Sequence, residues 1–379
     1  MQTEIITEGT TKIEVPILDS RANYPPSSAR VFYNPKMELN RDISIACISA
    51  LKKKDLTYVD VLAATGIRGI RVANEIGLEV TINDWNPYAY ELIKKNIKLN
   101  NLLKANCTKK NANILLHEKH FDIVDIDPFG SPVPFLDSAC RSVNHMLSVT
   151  ATDTAPLCGA HKNAGIRKYF AIPLKTEYHP EIGIRILLGV IARELAKYDK
   201  SMKPLLSFAI EHYFRVYLQI ISGAKITDKT IRENIGYIGH CFKCGFRTII
   251  TWLKNSFFYR EKKCNCGKEM DLAGPLWIGK LHDKTFCDRV LQELENRTLG
   301  KKKKAIKIVS TIIQELDIPT YYDHHIICKK LKISPTPIDI VIKELQNKGF
   351  KASRTHFSGT SFKTEALIEE IKDIMKSIQ

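Results

Sequence analysis

The chain has 379 residues, of which 44% are hydrophobic and 26% charged, a usage typical of a globular protein rather than a disordered or fibrous one. At roughly 150 residues per domain, this length predicts two or three domains. No apolar run approaches the length of a membrane span, and residues 1–5 lack the basic start and apolar block of a secretory signal. We therefore expect a cytoplasmic protein without a membrane partner, and nothing in the sequence points to an obligate protein partner.

The charge balance is strongly basic. The 57 Lys and Arg residues exceed the 41 Asp and Glu residues and give a formal net charge of +16, which favours a polyanionic partner such as a nucleic acid. A solvated basic surface is the alternative interpretation. In a reducing compartment the ten cysteines argue against a disulfide framework, and some of them are candidate metal ligands.

Short apolar runs alternate with helical patterns through the first half of the chain. A lead-in over residues 1–30, with prolines at 25 and 26, is followed by a predicted helix over residues 37–53. Strands are predicted at 58–63, 79–83 and 121–126, and helices at 68–76 and 87–100. This rhythm is typical of an α/β protein with a doubly wound, mostly parallel sheet.

The loop after the first of these strands is a candidate nucleotide cradle. Its residues 63–69 (Ala-Ala-Thr-Gly-Ile-Arg-Gly) are mostly small, so a ligand can approach the backbone around Ala64 and Gly66, and the following helix offers free N–H groups. The dinucleotide fingerprint and the P-loop are both absent. Asp84 ends the next strand, 18 residues after Gly66, where a carboxylate can accept hydrogen bonds from ribose hydroxyls. Residues 111–113 (Asn-Ala-Asn) could meet an adenine.

Taken in this order, these features favour S-adenosylmethionine as the cofactor. Ordinary turn chemistry for the loop and a helix cap for Asp84 are the alternatives.

Residues 127–130 (Asp-Pro-Phe-Gly) follow the strand at 121–126 and form the candidate reacting site. An exocyclic amine conjugated to a ring is a poor nucleophile, so its hydrogens must be held by acceptors while its lone pair faces the methyl group. Asp127 and the carbonyl of Pro128 can serve as those acceptors, and Phe129 can stack on a base that has left its helix. A strand-terminating turn with a solvated Asp127 is the alternative.

The second half of the chain predicts a separate α+β domain. Residues 206–221 alternate between apolar and polar and predict one long strand at the border between residues 1–205 and residues 206–379. An insert at 241–268 holds seven Lys or Arg residues and one acid. Residues 300–379 predict three helices and a β ribbon, which is typical of a winged-helix-like module that binds nucleic acid. A small packing domain is the alternative.

Four cysteines in the insert have the spacing of a metal site. Cys241 and Cys244 form a C-x2-C pair, and after 19 intervening residues Cys264 and Cys266 form a C-x-C pair. Four thiolates in two close pairs predict a structural zinc site that staples the insert, although the second pair is one residue shorter than usual. Ordinary reduced cysteines on a hairpin are the alternative. Cys158 has no neighbouring base and is interpreted as loop packing.

The sequence resembles the tRNA (guanine-N2)-dimethyltransferases that modify the guanine at tRNA position 26. The matching segments are residues 32–35, 63–71, 83–87, 127–132, 152–159 and 274–277. The single residues Met37, Asn40 and Arg41 match as well. This resemblance implies a class I methyltransferase domain, a tRNA-binding C-terminal domain, S-adenosylmethionine as methyl donor and tRNA as partner. Methyl transfer to another RNA or DNA amine and a non-catalytic RNA-binding role are the competing hypotheses.

The resemblance also implies roles for individual residues. Phe32 and Phe129 would sandwich the flipped guanine, and Asp127 would engage its amine. The cofactor contacts implied are Arg41, Arg68, Asp84, Asn111 and Ala112, to which we add Ala64, Gly66 and Trp85 from the matching segments. The family often has aspartate at the position of Asn111, and an amide there changes the hydrogen-bond polarity. From the residues alone, Arg41 could equally be a surface residue and Phe32 a core anchor.

Overall fold

The computed structural model describes residues 2–17, 30–210, 212–252 and 263–378. The prolines of the predicted lead-in and the middle of the cysteine-bearing insert lie outside the described residues. Within those residues no helix is long and apolar enough to cross a bilayer. All ten cysteines are free thiols.

The chain forms two compact units, each assembled from segments that are distant in sequence. The first comprises the described residues of Met1–Thr150, Tyr217–Ile221 and Lys284–Ser310. The second comprises those of Ala151–Val216, Ser222–Asp283 and Thr311–Gln379. The predicted border between residues 1–205 and residues 206–379 separates two functional parts of the chain rather than two compact units, and it stays a prediction.

The first unit is built on a parallel sheet. The strands of this unit are β1 (Thr3–Glu8), β2 (Thr11–Pro16), β3 (Thr57–Asp60), β4 (Glu79–Asn83), β5 (Ala105–Thr108), β6 (Phe121–Ile126) and β7 (Val143–Ala151). Its helices are α1 (Glu38–Ser49), α2 (Ile67–Glu75), α3 (Pro87–Leu99), α4 (Ala112–Glu118) and α5 (Val133–Ser142), and later in the chain α10 (Lys284–Asn296). Strands β1 and β2 form a separate hairpin.

The second unit begins with α6 (Thr154–Leu157), α7 (Lys162–Tyr169) and α8 (His179–Ala196). Its next elements are β8 (Lys200–Ile210), β9 (Tyr213–Ser222), α9 (Ala224–Asn234), β10 (Ile235–His240), β11 (Arg247–Thr251) and β12 (Asp271–Trp277). The C-terminal elements are α11 (Lys302–Gln314), β13 (Tyr322–Asp323), α12 (His324–Leu331), α13 (Ile338–Asn347), β14 (Ala352–Arg354), β15 (Ser361–Thr364) and α14 (Ile368–Ser377). Strands β7 and β9 and helix α11 contribute residues to each unit.

The main sheet has the strand order β5-β4-β3-β6-β7-β9-β8. The pairs β4–β5, β3–β4, β3–β6 and β6–β7 are parallel, with Tyr58 beside both Val80 and Ile123. The predicted doubly wound, mostly parallel sheet is confirmed. Since the chain crosses from β3 to β4 on one side and later returns to β6 on the other, the carboxyl ends of these three strands meet at a topological switch point, where ligands bind in such sheets.

Local sequence explains how the helices beside this point begin. Gly66 precedes α2 with φ +79°, a left-handed conformation that glycine adopts without a steric cost. Asn86 precedes α3 and its side chain accepts from the Tyr88 N–H at 2.9 Å, while Pro87 occupies the first helical position. The core beneath is made of fully buried apolar strand residues such as Val59, Ile82 and Ile123.

Residues 206–221 form parts of two strands, β8 and β9, so the prediction of one long strand is wrong. From 206 to 220, apolar residues occupy the even-numbered positions of both strands, among them Phe208 and Val216, although neighbouring odd-numbered residues such as Leu205 and Tyr217 are buried as well. Because the even-numbered positions continue with the same period on either side of His212, the sequence pattern shows no break where the chain reverses.

Candidate functional site

The loop after β3 is tied to the end of β4 through Asp84. The Ala64 N–H donates to Asp84 Oδ2 at 2.7 Å and the Asn86 N–H donates to Oδ1 at 2.8 Å. Ala64 itself has φ +50°, in the left-handed region that few residues with a β-carbon adopt. Burial raises the pKa of Asp84, and the two N–H donors oppose that shift. The carboxylate is therefore held in one orientation, with further lone pairs that can accept hydrogen bonds.

Asn83 is a connector in this loop cluster that the sequence analysis missed. It is fully buried, and its Nδ2 donates to the carbonyls of Val61 and Lys110 at 3.0 Å each. Its Oδ1 accepts from the Lys110 N–H at 3.0 Å. One amide thus fixes the loops after β3 and β5 relative to each other. The only sequence signal that could have identified Asn83 is its position before Asp84 in the matching segment 83–87.

The other predicted cofactor residues of this region have different surroundings. Trp85 is 69% exposed. Asn111 caps α4, since its Oδ1 accepts from the N–H groups of Asn113 at 3.0 Å and Ile114 at 3.4 Å, and Ala112 is the buried first residue of that helix. The amide oxygen of Asn111 therefore serves the helix end, and its NH2 group is the part that differs from a carboxylate.

Arg68 connects the predicted reacting residue Asp127 to α1. It lies on α2 with only 4% of its surface exposed, and its Nη2 forms an ion pair with Asp127 Oδ2. Nη1 donates to Ser44 Oγ at 2.6 Å, and Nη2 also donates to Asn40 Oδ1 at 3.0 Å. The Ser44 hydroxyl lies 2.7 Å from the Tyr217 hydroxyl. This network orients the Asp127 carboxylate and balances its charge.

Two more buried carboxylates lie beneath Asp127. Asp60 on β3 and Asp125 on β6 are paired in register, and Asp125 Oδ1 lies 3.8 Å from Arg68 Nε. Burial, followed by the negative charge of Asp125, raises the pKa of Asp60 to about 7. Asp60 Oδ2 accepts from the Gly69 N–H at 3.0 Å. One arginine thus faces three carboxylates, and burial favours the protonated form of Asp60.

Replacing Asp60 by Asn should reduce the loss of stability at high pH. Since the folded-state pKa of about 7 lies above the ordinary value of 3.8, the folded chain keeps a proton that the unfolded chain releases, and stability falls as the pH rises through this window. Asn stays neutral and can still accept from Gly69. We expect the free energy of unfolding to fall by about 2–4 kcal/mol less in Asp60→Asn than in the wild type between pH 5 and pH 8. Urea unfolding at both pH values measures this, and equal losses would contradict the assignment.

Arg41, predicted to contact the cofactor, is engaged by Glu8. Its Nε donates to Glu8 Oε2 at 2.8 Å and its Nη2 to Oε1 at 2.5 Å, in a bidentate pair that is nearly buried. The Tyr33 hydroxyl also donates to Glu8, at 3.0 Å. The positive charges of Arg41 and Arg71 lower the pKa of Glu8 against the effect of burial. Glu8 lies 33 residues before Arg41, and no motif in the sequence pointed to it.

The two predicted stacking rings touch each other. The centroids of Phe32 and Phe129 are 4.2 Å apart with an interplanar angle of 84°, an edge-to-face arrangement. Phe129 is 61% exposed, and it is flanked by the buried Pro128 and by Gly130 with φ +77°. The structure therefore brings these two residues together but without a gap for a flat ring between them.

The four cysteines of the insert converge on one point in the second unit. Their Sγ atoms all lie within 4.8 Å of one another. Cys241 and Cys266 approach to 3.5 Å and Cys244 and Cys264 to 3.4 Å, and the Phe246 N–H donates to Cys244 Sγ at 3.4 Å. The C-x-C pair closes the cluster, because Cys264 and Cys266 each meet one cysteine of the first pair.

Comparisons with known proteins agree with this geometry. The family model for N2,N2-dimethylguanosine tRNA methyltransferase matches residues 9–376. A tRNA (guanine(26)-N(2))-dimethyltransferase of Methanosarcina barkeri is 54% identical over 98% of both chains, and one of Methanosphaerula palustris is 44% identical over 97% of both. The solved structure of Trm1 from Pyrococcus horikoshii with S-adenosyl-L-methionine is 39% identical, covers 98% of this chain and 99% of its own, and superposes with a TM-score of 0.87. The chain belongs to the N2,N2-dimethylguanosine tRNA methyltransferase family.

Proposed function

We propose that this chain transfers methyl groups from S-adenosylmethionine to the exocyclic N2 amine of the guanine at position 26 of tRNA. The products are N2-methylguanosine and then N2,N2-dimethylguanosine. The observation that carries this proposal is the Asp127 carboxylate, oriented by Arg68 at the carboxyl end of β6. Strand β6 lies in the same sheet as β4, which Asp84 directly follows, and the family membership agrees with the proposal.

The residues around Asp84 fit the cofactor. Its carboxylate is fixed by two N–H donors and can accept from ribose hydroxyls, and the small residues Ala64 and Gly66 let a ligand approach the backbone. S-adenosylmethionine supplies an electrophilic methyl group on a sulfonium. We assign the remaining contacts to Trp85, Asn111 and Ala112 near the adenosine and to Arg41 and Arg68 near the methionine part.

The amine is activated by position rather than by a strong base. Asp127 and the Pro128 carbonyl accept hydrogen bonds from the amine, which holds its lone pair toward the methyl carbon. The lone pair would form the new N–C bond as the bond between sulfur and the methyl carbon breaks, the neutral thioether S-adenosylhomocysteine would leave, and the amine proton would be released to solvent. The second methylation would repeat this step with fresh S-adenosylmethionine on the monomethylated amine, whose one remaining hydrogen is held by one of the two acceptors.

Phe32 and Phe129 hold the base in this proposal. Stacking on both sides of a guanine requires the two rings to move apart from their present centroid distance of 4.2 Å. The base must also leave its helix to reach the pocket, as in other enzymes that modify nucleobases.

Residues 206–379 are our proposed tRNA-binding domain. Helices α11, α12 and α13 and the antiparallel pair β14–β15 support a winged-helix-like end at residues 300–379, with a core that includes Val341, Leu345 and Phe362. The excess of positive charge supports a polyanionic substrate.

A structural zinc ion in the cysteine cluster is also part of the proposal. Tetrahedral coordination at about 2.3 Å per bond places sulfur atoms nearly 4 Å apart, which is close to the separations seen here. The backbone N–H from Phe246 to Cys244 is the kind of hydrogen bond that stabilises a bound thiolate. The ten free thiols are compatible with a reducing compartment, which supports our proposal of a cytoplasmic location. We also propose that the chain needs neither a membrane nor an obligate protein partner.

A methylation assay tests this function. The purified chain is incubated with isotopically labelled S-adenosylmethionine and an unmodified tRNA transcript, and the nucleosides of the digested RNA are identified by mass spectrometry. We expect labelled N2,N2-dimethylguanosine, which disappears when the guanine at position 26 is replaced by adenine. A label on a different base would identify another substrate, and cofactor binding without any labelled nucleoside would identify a non-catalytic binder.

A further inference from the structure

Helix α7 of the second unit presents one exposed face that is basic and apolar at once. Its exposed residues include Lys162, Ile166 and, directly after the helix, Phe170, which are spaced by four positions and so lie on one side. Arg167 is exposed next to them. Phe170 has 78% of its surface exposed, and Ile166 and Ile172 beside it are 39% and 38% exposed. We call these five residues the α7 surface.

The backbone at Phe170 is held in an unfavourable conformation. Its φ of +47° and ψ of +40° are left-handed, which costs a residue with a β-carbon free energy that glycine would not lose. The Phe170 N–H donates to the Ile166 carbonyl at 2.9 Å. On its far side, the N–H groups of Ile172 and Gly274 donate to each other's carbonyls at 2.7 and 2.9 Å. The ring is thus displayed toward solvent from a fixed and strained position.

Contacts of Lys168 and Tyr169 fix the C-terminal end of α7. The Tyr169 hydroxyl donates to Asp153 Oδ1 at 2.5 Å, and Arg193 donates to the Tyr169 carbonyl at 3.0 Å. Lys168 points to the same aspartate, with its Nζ 3.2 Å from Oδ2. Tyr169 and Lys168 therefore serve the anchor, whereas Lys162, Arg167 and Phe170 face outward.

An exposed aromatic ring among cations suits a nucleic acid better than a protein partner. Base stacking on aromatic side chains and phosphate contacts by Lys and Arg are the two interactions that single-stranded RNA regions offer. Strain retained at an exposed residue is typical of functional positions, because the folded state gains little from the ring itself. We infer that the α7 surface binds an unpaired nucleotide of the tRNA substrate, with Phe170 stacked on its base and Lys162 and Arg167 on the adjoining phosphates. This inference rests on the proposed function.

Two substitutions at Phe170 separate binding from folding. Phe170→Ala removes the ring, and Phe170→Gly removes both the ring and the backbone strain. We expect both to raise the dissociation constant for tRNA about tenfold, as loss of one stacked base predicts. Phe170→Gly should melt no lower than the wild type, a result that a merely structural role does not predict. Phe170→Trp should keep the wild-type affinity.

A matched control variant is Ile5→Ala, which lies outside the proposed tRNA-binding domain at residues 206–379. Ile5 is 60% exposed, but its exposed neighbours on β1 are Glu4 and Thr7, and neither is a cation. Removal of this apolar side chain should leave tRNA affinity unchanged. Arg167→Gln should lower the slope of the logarithm of affinity against the logarithm of salt concentration by about 0.7–0.9, the value for one lost phosphate contact.

The outcomes distinguish the inference from the function it rests on. If the wild-type chain methylates tRNA but Phe170→Ala binds tRNA as tightly as the wild type, the α7 surface serves another purpose and the inference is wrong. If the wild-type chain neither binds nor methylates tRNA, the proposed function itself is wrong. S-adenosylmethionine binding, measured by calorimetry, should be the same in all Phe170 variants.

Discussion

Replacing Asp127 by alanine is expected to slow methyl transfer by about 10³-fold, while tRNA affinity stays within about twofold of the wild type. The substitution removes the charged acceptor that orients the amine, but it removes no group from the basic surface. Arg68 keeps Asp125 Oδ1 at 3.8 Å as a second anion, so the fold should tolerate the change. Single-turnover methylation with a preformed enzyme–tRNA complex measures the rate separately from binding.

Two further variants sharpen this test. Asp127→Asn keeps one acceptor oxygen and should retain more activity than alanine. Asp122 lies at the other end of β6, where its Oδ2 accepts from the Thr57 N–H at 2.9 Å. Asp122→Asn removes a carboxylate from the same strand without touching the proposed site, so its rate should match the wild type. A wild-type rate in Asp127→Ala would refute the role of this residue.

Replacing Cys241 by serine is expected to remove zinc and to lower the melting temperature by on the order of 10 °C. The small core at this site consists of Cys241, Cys264 and Met270 with partly buried neighbours. So few apolar side chains bury too little surface to fix the insert, and the proposed zinc ion would supply the missing free energy. Metal analysis of the purified protein should find one zinc per chain in the wild type and nearly none in the variant.

Cys158→Ser is the matched control, since Cys158 lies in the same unit outside the cluster and burial raises the pKa of its thiol to about 12. It should keep its zinc. Absence of zinc from the wild type, together with an unchanged melting temperature after chelation, would overturn the metal assignment.

The elements that position the site could be predicted from sequence because each has a strong local signal. The apolar runs before Asp84 and Asp127 identify β4 and β6, and the end of a parallel strand is a known place for ligand-binding side chains. The cysteine cluster followed from spacing alone. These predictions needed no knowledge of which distant residues meet.

The partners of the site residues could not be predicted. Arg68 bonds to Ser44 and Asn40 on another helix, and Arg41 pairs with Glu8 on a hairpin. Such pairs depend on how helices and hairpin pack against the sheet, and a buried arginine can satisfy its donors with any nearby acceptor. The sequence suggested contacts from both arginines to a cofactor, and the structure adds that each also has a protein carboxylate as partner.

In the proposed guanine pocket, Phe32 and Phe129 must give up their contact with each other before a base can enter between them. Separation of an edge-to-face pair costs about 0.5–1.5 kcal/mol, or roughly a twofold to tenfold loss of affinity for whatever enters. A free guanine nucleotide must meet this cost from its own few contacts, whereas a tRNA can draw on many phosphate contacts elsewhere. If the proposed roles of these two rings are correct, the closed pair would act as a filter against free guanine nucleotides, which carry the same amine but lack the additional phosphate contacts of a tRNA.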